Sequence, residues 1–85
     1  MKEFQYTIKD SCGIHARPAG LLAKMAKNYG GTAKLSCNGK DCEIKKLMAL
    51  MSMGVKQGET VTVSVEGEGD AAFAAELEKF FKENL

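Results

Sequence analysis

The sequence predicts an α+β fold: a mostly antiparallel four-stranded sheet covered on one face by helices, in the order β-α-β-β-α-β-α. Three observations carry that reading. Residues 2–9 and 60–66 alternate polar and apolar, as half-buried strands do. Residues 16–29 and 71–84 space their apolar side chains as helices do. Asn38-Gly39 joins two short extended segments and is a strong hairpin signal. With 85 residues, 45% hydrophobic and 27% charged, the chain has room for one domain, 1–85, and not for two cores.

The elements follow in order. Residues 2–9 place Phe4, Tyr6 and Ile8 on one face of a strand, and Asp10-Ser11-Cys12-Gly13 breaks it. From Ala16 to Tyr29, Leu21, Leu22, Met25 and Tyr29 form a helical apolar stripe. Pro18 is tolerated only in a first turn, which sets the helix start near residues 15–17. Gly30-Gly31 is expected to end the helix through a residue at positive φ. Thr32–Cys37 and Lys40–Ile44 are the hairpin strands. Lys46–Met53 is a short apolar-rich helix closed by Gly54. In the next strand, Thr60–Glu66, Val61, Val63 and Val65 face the core, and Thr60, Thr62 and Ser64 face solvent. Asp70 is expected as N-cap of a last helix, Ala71 to about Asn84, with Phe73, Leu77, Phe80 and Phe81 on its core stripe.

The only histidine, the only arginine and the only proline fall together in Gly13-Ile14-His15-Ala16-Arg17-Pro18. His15 stands where a loop enters a helix, beside first-turn N–H groups that have no intrahelical partner and carry partial positive charge. Pro18 lacks an N–H, so the amides near His15 that an anion can reach are those of Ala16 and Arg17. The Arg17 guanidinium can hold phosphoryl oxygens in a fork. Gly13 is expected to let the backbone approach the anion closely. Such a pocket places a nucleophilic imidazole beside a phosphate-sized site. On these residues alone, a lone histidine at a helix start is equally at home as a surface or capping residue.

Other chemistries have less behind them. A thiol–imidazole pair of Cys12 and His15 would suit a small hydrolase, but nothing in so short a chain suggests a substrate cleft. Gly67-Glu68-Gly69 lacks the Gly-Lys-Ser/Thr of a phosphate-binding loop, and no cofactor motif is present. Cys12, Cys37 and Cys42 lack metal spacing and are expected as free thiols in a reducing cytoplasm, with no metal bound. A net charge of +1 without a basic run gives no case for nucleic acid. The longest apolar run, Leu47–Met51, is far shorter than the roughly 20 residues that span a bilayer, so no membrane insertion is expected. Nothing at the start suggests secretion.

In Leu47-Met48-Ala49-Leu50-Met51-Ser52-Met53, three methionines and two leucines exceed what two helical turns can hide. Leu50 and Met53 are assigned to the core. Leu47, Met48 and Met51 are left over for an adaptable docking patch.

Gly13-Ile14-His15-Ala16-Arg17-Pro18-Ala19 resembles the active-site motif of the histidine-containing phosphocarrier (HPr) family of the bacterial phosphoenolpyruvate-dependent sugar phosphotransferase system. The similarity extends over nearly the whole chain, through Asn38-Gly39-Lys40, residues 44–55 and Gly58-Glu59-Thr60-Val61. It implies an open-faced β-sandwich of four antiparallel strands under three helices. It implies that His15 takes a phosphoryl group on Nδ1 from enzyme I and passes it to sugar-specific IIA domains, as a carrier and not an enzyme. Arg17 and the Ala16 amide would stabilise the moving charge. Cys12, Ala16, Gly20, Lys24, Lys27, Leu47, Met48 and Met51 would meet the partners, and the chain would be a monomer. A regulatory or binding paralogue that kept the fold without transport is the alternative.

One position departs from the family pattern. Gram-positive members carry a regulatory serine, phosphorylated by a dedicated kinase, at the start of the short helix. Here that position is Lys46, preceded by Lys45, so serine-kinase control is expected to be absent.

Overall fold

The computed structural model describes residues 1–85. Its elements are β1 (Lys2–Thr7), α1 (Ala16–Asn28), β2 (Thr32–Cys37), β3 (Lys40–Glu43), α2 (Leu47–Ser52), β4 (Thr60–Glu66) and α3 (Asp70–Asn84). The four strands form one sheet in the order β1-β4-β2-β3, every neighbouring pair antiparallel. Val63 is paired with Phe4 on one side and Leu35 on the other, so the alternating valines run through the centre of the sheet. Val61, Val63 and Val65 are fully buried on the helix-covered face. On the opposite face, Gln5 donates to the Thr62 hydroxyl at 3.3 Å, and the Thr7 and Thr60 hydroxyls lie 2.9 Å apart. One face is dry and the other wet, as the period of two requires.

The core is filled from both long helices. Ala19, Leu22, Ala23 and Ala26 come from α1, and Phe73, Ala74, Leu77 and Phe81 from α3. α3 lies close against β1 and β4, and its Phe81 meets Phe4 and Tyr6 edge-on at 5.9 and 5.7 Å. Burying a side chain of that size contributes about 1.5–3 kcal/mol. The hairpin is the turn its residues demand: Asn38 at φ 53° and Gly39 at φ 79° are both left-handed. The Asn38 amide and the Lys56 N–H both donate to Glu59, which holds that carboxylate below its usual range and ties the hairpin to the turn before β4.

Several local expectations are corrected. The ladder of β1 ends at Thr7. Ile8 exchanges its hydrogen bonds with Gly58 and Glu59, and the Lys9 N–H turns to the Leu85 carbonyl. α1 does not end through a left-handed glycine: Tyr29 leaves the helix extended, at φ −89° and ψ 133°. Gly31 is there for space, because a Cβ on it would stand 2.2 Å from the Glu66 carbonyl oxygen. Asp70 is the first residue of α3 and not its N-cap; Gly69, left-handed at φ 75°, takes that position. The Asp70 carboxylate instead lies 3.1 Å from the Met1 ammonium, an interaction that lowers its pKa. Leu21 leaves the apolar stripe and is 48% exposed, since one residue of rotation before Leu22 turns it outward. Phe80 is only partly buried against the core.

Candidate functional site

The segment before α1 is held at three places. Lys9 and Asp10 both donate to the Leu85 carbonyl oxygen, at 2.6 and 2.8 Å. The Asp10 carbonyl accepts from Gly13 at 2.9 Å, and its Oδ1 accepts the Cys12 N–H at 2.8 Å, an Asx-type turn. Ile14, buried, donates to the Val55 carbonyl at 3.1 Å. Gly13 stands at φ 64°, and a Cβ there would lie 2.1 Å from the Val55 oxygen. The close approach that requires glycine is therefore to the Val55–Lys56 backbone and not to an anion.

His15 is the N-cap of α1, extended at φ −103° and ψ −179°. Its carbonyl accepts the Ala19 N–H at 2.9 Å, while its imidazole caps nothing. The first turn contains no acidic residue, so no side chain of the helix itself competes for the Ala16 and Arg17 amides. The imidazole is 41% exposed, with Nε2 3.7 Å from Asp10 Oδ2. It lines a shallow depression with Asp10, Arg17, Pro18, Leu21 and Asn84. Imidazole and guanidinium thus reach one space, beside free amides at the positive end of a helix. That arrangement can accept a tetrahedral oxyanion and offers it a nitrogen nucleophile.

Around this corner, Cys12, Ala16, Lys24 and Lys27 are exposed and Gly20 is half-buried. α2 packs beside α1. Met48 is 76% exposed, and Leu47 and Met51 are also classed as exposed, while Leu50 is buried and Met53 packs against the core. The expected division of the Met-rich helix therefore holds. Lys46 is the N-cap of α2, outside the helix proper, and makes no side-chain cap. Its ammonium lies 3.4 Å from Glu43, which Lys45 also approaches at 3.7 Å.

Three residues of the depression carry no site signal in the sequence. From the sequence Asp10 reads as a plain loop residue, although Asp at the first and Gly at the fourth position is a type I turn signature. Leu21 belongs by spacing to the apolar stripe of α1, which does not tell core from rim. Asn84 comes from the far end of the chain, where no local pattern could link it to His15. A larger cavity opens elsewhere, between α1 and α3, lined by Met25, Tyr29 and Phe73 and rimmed by Glu68 and Glu76. Tyr29 stacks on Phe73 at 4.3 Å and its buried hydroxyl has no hydrogen-bond partner. Desolvation, with the Asp70 charge, pushes that hydroxyl above its usual pKa. Its acidic rim is unsuited to an anion.

The family model for the phosphorylation site of the phosphotransferase-system component HPr matches residues 2–83. Phosphocarrier protein HPr of Mycoplasma genitalium is 42% identical over 84 residues, covering 93% of this chain and 96% of that protein. A solved Mycoplasma histidine-containing phosphocarrier protein superimposes with a TM-score of 0.93 at 28% identity, covering 96% of this chain and 93% of its own. HPr from Thermoanaerobacter tengcongensis gives a TM-score of 0.91 at 32% identity, over 98% of this chain and 93% of its own. A dimeric form of that protein gives 0.76 at 32% identity, over 98% and 95%.

Proposed function

The chain belongs to the HPr phosphocarrier family of the phosphotransferase system, and on that premise we propose that His15 is its phosphoryl-accepting residue, loaded by enzyme I and discharged to sugar-specific IIA domains. The observation that carries this reading is the shared depression. The one imidazole of the chain opens beside Arg17 at the uncapped start of α1. The Nδ1 lone pair forms a bond to phosphorus as the bond to the donor breaks, its electron pair staying on the donor. The transferring group spreads negative charge over its equatorial oxygens. Arg17 and the Ala16 and Arg17 amides meet that charge without any rearrangement of the backbone. The reverse transfer needs the same groups, so the chain is a carrier used stoichiometrically and not an enzyme.

We take as the docking rim Leu21, which lines the depression, the exposed Leu47, Met48 and Met51 of α2, which packs beside α1, and Lys24 and Lys27 along α1. Partners would bury that rim, together with Cys12, Ala16 and Gly20, so that transfer occurs in a water-poor interface. Unbranched methionine side chains suit a surface that must fit several partners in turn. Lys46 stands where a serine kinase would act on related chains, so this carrier escapes that control. We place the protein in the cytoplasm as a monomeric domain over residues 1–85; no helix is long and apolar enough to cross a membrane.

Incubation with phosphoenolpyruvate and enzyme I tests the reading. One acid-labile phosphoryl group per chain is expected, and none after His15→Ala. Persistent label in that variant would overturn the assignment; no label on the wild type would leave a binding paralogue.

A further inference from the structure

We propose that Asp10 is a positioning residue for His15: its free carboxylate oxygen holds the imidazole Nε2–H and so presents the Nδ1 lone pair to phosphorus. The role rests on the phosphoryl-carrier reading of His15. The position of Asp10 is determined from several directions. Its N–H donates to the Leu85 carbonyl at 2.8 Å, and its carbonyl accepts from Gly13 at 2.9 Å. Its Oδ1 accepts the Cys12 N–H at 2.8 Å. These bonds occupy every polar group of the residue except Oδ2, which lies 3.7 Å from His15 Nε2. Asp10 and Arg17 are the only charged side chains lining the depression with His15.

A separation of 3.7 Å is within ion-pair reach and just beyond a hydrogen bond. Catalytic hydrogen bonds are commonly long before the reacting partner arrives and shorten in the complex. Neutral imidazole has two tautomers, and a carboxylate facing one nitrogen selects the tautomer protonated there. With the proton on Nε2, Nδ1 alone can attack. When the N–P bond forms, the Nε2 proton stays, so the ring becomes a phosphoimidazolium whose charge Asp10 balances. On discharge, the N–P electron pair returns to Nδ1 and the ring is neutral again. No proton has to leave at either step.

The variant that isolates this role is Asp10→Asn, which keeps an oxygen for the Cys12 N–H and removes the charge. Nitrogen-15 NMR of His15, at a pH where the ring is neutral, reads the tautomer ratio. Phosphotransfer from enzyme I reads the rate, and thermal unfolding reads the fold. The ratio of Nε2–H to Nδ1–H tautomer and the transfer rate are each expected to fall about threefold, the scale of one exposed charge pair. The melting temperature should stay put. An unchanged tautomer ratio overturns the proposal, whether or not the rate moves. If the asparagine variant does not fold, Asp10→Ser, which can also accept the Cys12 N–H, supplies the same comparison. The tautomer measurement needs no phosphorylation. A wild type that accepts no phosphoryl group therefore overturns the carrier reading, while the ratio still decides the hold of Asp10 on the imidazole.

Discussion

Neither α1 nor α2 has a side-chain cap at its start or an acidic residue in its first turn, and a basic residue stands close by in each case. The surroundings then differ. The loop into α1 is fastened to Leu85 and Val55 by hydrogen bonds, and Pro18 in the first turn of the helix is buried. The basic group at this helix start, Arg17, has no carboxylate within ion-pair distance. α2 is a six-residue helix whose N-cap, Lys46, is drawn to Glu43. An uncapped helix start costs about 1 kcal/mol. At α1 that cost leaves a rigid, electropositive corner open to an anion beside an imidazole. At α2 it leaves a paired lysine beside exposed methionines. On the proposed reading, what separates the two helix starts is the nucleophile held beside α1 and the unpaired cation there.

The strongest way to break this contrast is to remove the nucleophile. His15→Ala should abolish labelling by phosphoenolpyruvate and enzyme I while leaving the melting temperature nearly unchanged, because an exposed side chain that caps nothing contributes little stability. Loss of label together with unfolding would mean that His15 holds the corner together instead of reacting in it. Next in size is Arg17→Lys. The charge stays and the fork is lost, so transfer should slow by about tenfold or more, the worth of a charge-assisted hydrogen bond. A rate equal to that of wild type, measured with unchanged thermal stability, would remove Arg17 from the phosphoryl site.

Most of the contrast can be read from local sequence, and the unread part has a common cause. Alternation located β1 and β4, Asn38-Gly39 located the hairpin, and Pro18 located the start of α1 within a residue. Each of these rests on neighbours in sequence. The assignments that failed depend on what lies across the fold. Gly13 answers to the Val55 carbonyl, Gly31 to Glu66, and Asp70 to Met1. Leu21 is undecided in the sequence because an apolar residue at the edge of a helical stripe faces either core or docking rim, and only packing decides. The site followed the same rule. His15 and Arg17 share one turn and were legible, whereas Asp10 and Asn84 join them only through the pinned loop and the end of α3.

A smaller effect sharpens the α2 side of the comparison. Lys46 has the extended backbone of an N-cap, at φ −95° and ψ 94°, without an oxygen to cap with. Lys46→Ser should supply the cap, worth about 1 kcal/mol, and lose an exposed pair with Glu43 worth less. A modest net rise in the urea midpoint is expected, with no change in slope. A fall would show that the Glu43 pair outweighs the cap. If the rest of the recognition surface is retained, the same variant should become a substrate of the serine kinase.

The smallest expected effect concerns association. Lys45 and Lys46 would extend the positive rim of α1 toward Leu47 and Met48, but both lean on Glu43 at 3.7 and 3.4 Å. Their field toward an acidic partner surface is therefore partly cancelled at its source. Charges at a rim act on the on-rate and are screened within about 10 Å at 0.1 M salt. Glu43→Gln should unmask both lysines and raise the enzyme I on-rate about twofold at low salt, whereas Lys46→Glu should lower it by a similar factor. Stopped-flow association at low and high ionic strength measures both, and the three proteins should converge at high salt. Opposite shifts that vanish with salt would place the start of α2 on the docking rim. Three equal rates at low salt would confine docking electrostatics to α1, with Lys46 no more than a lost phosphorylation position.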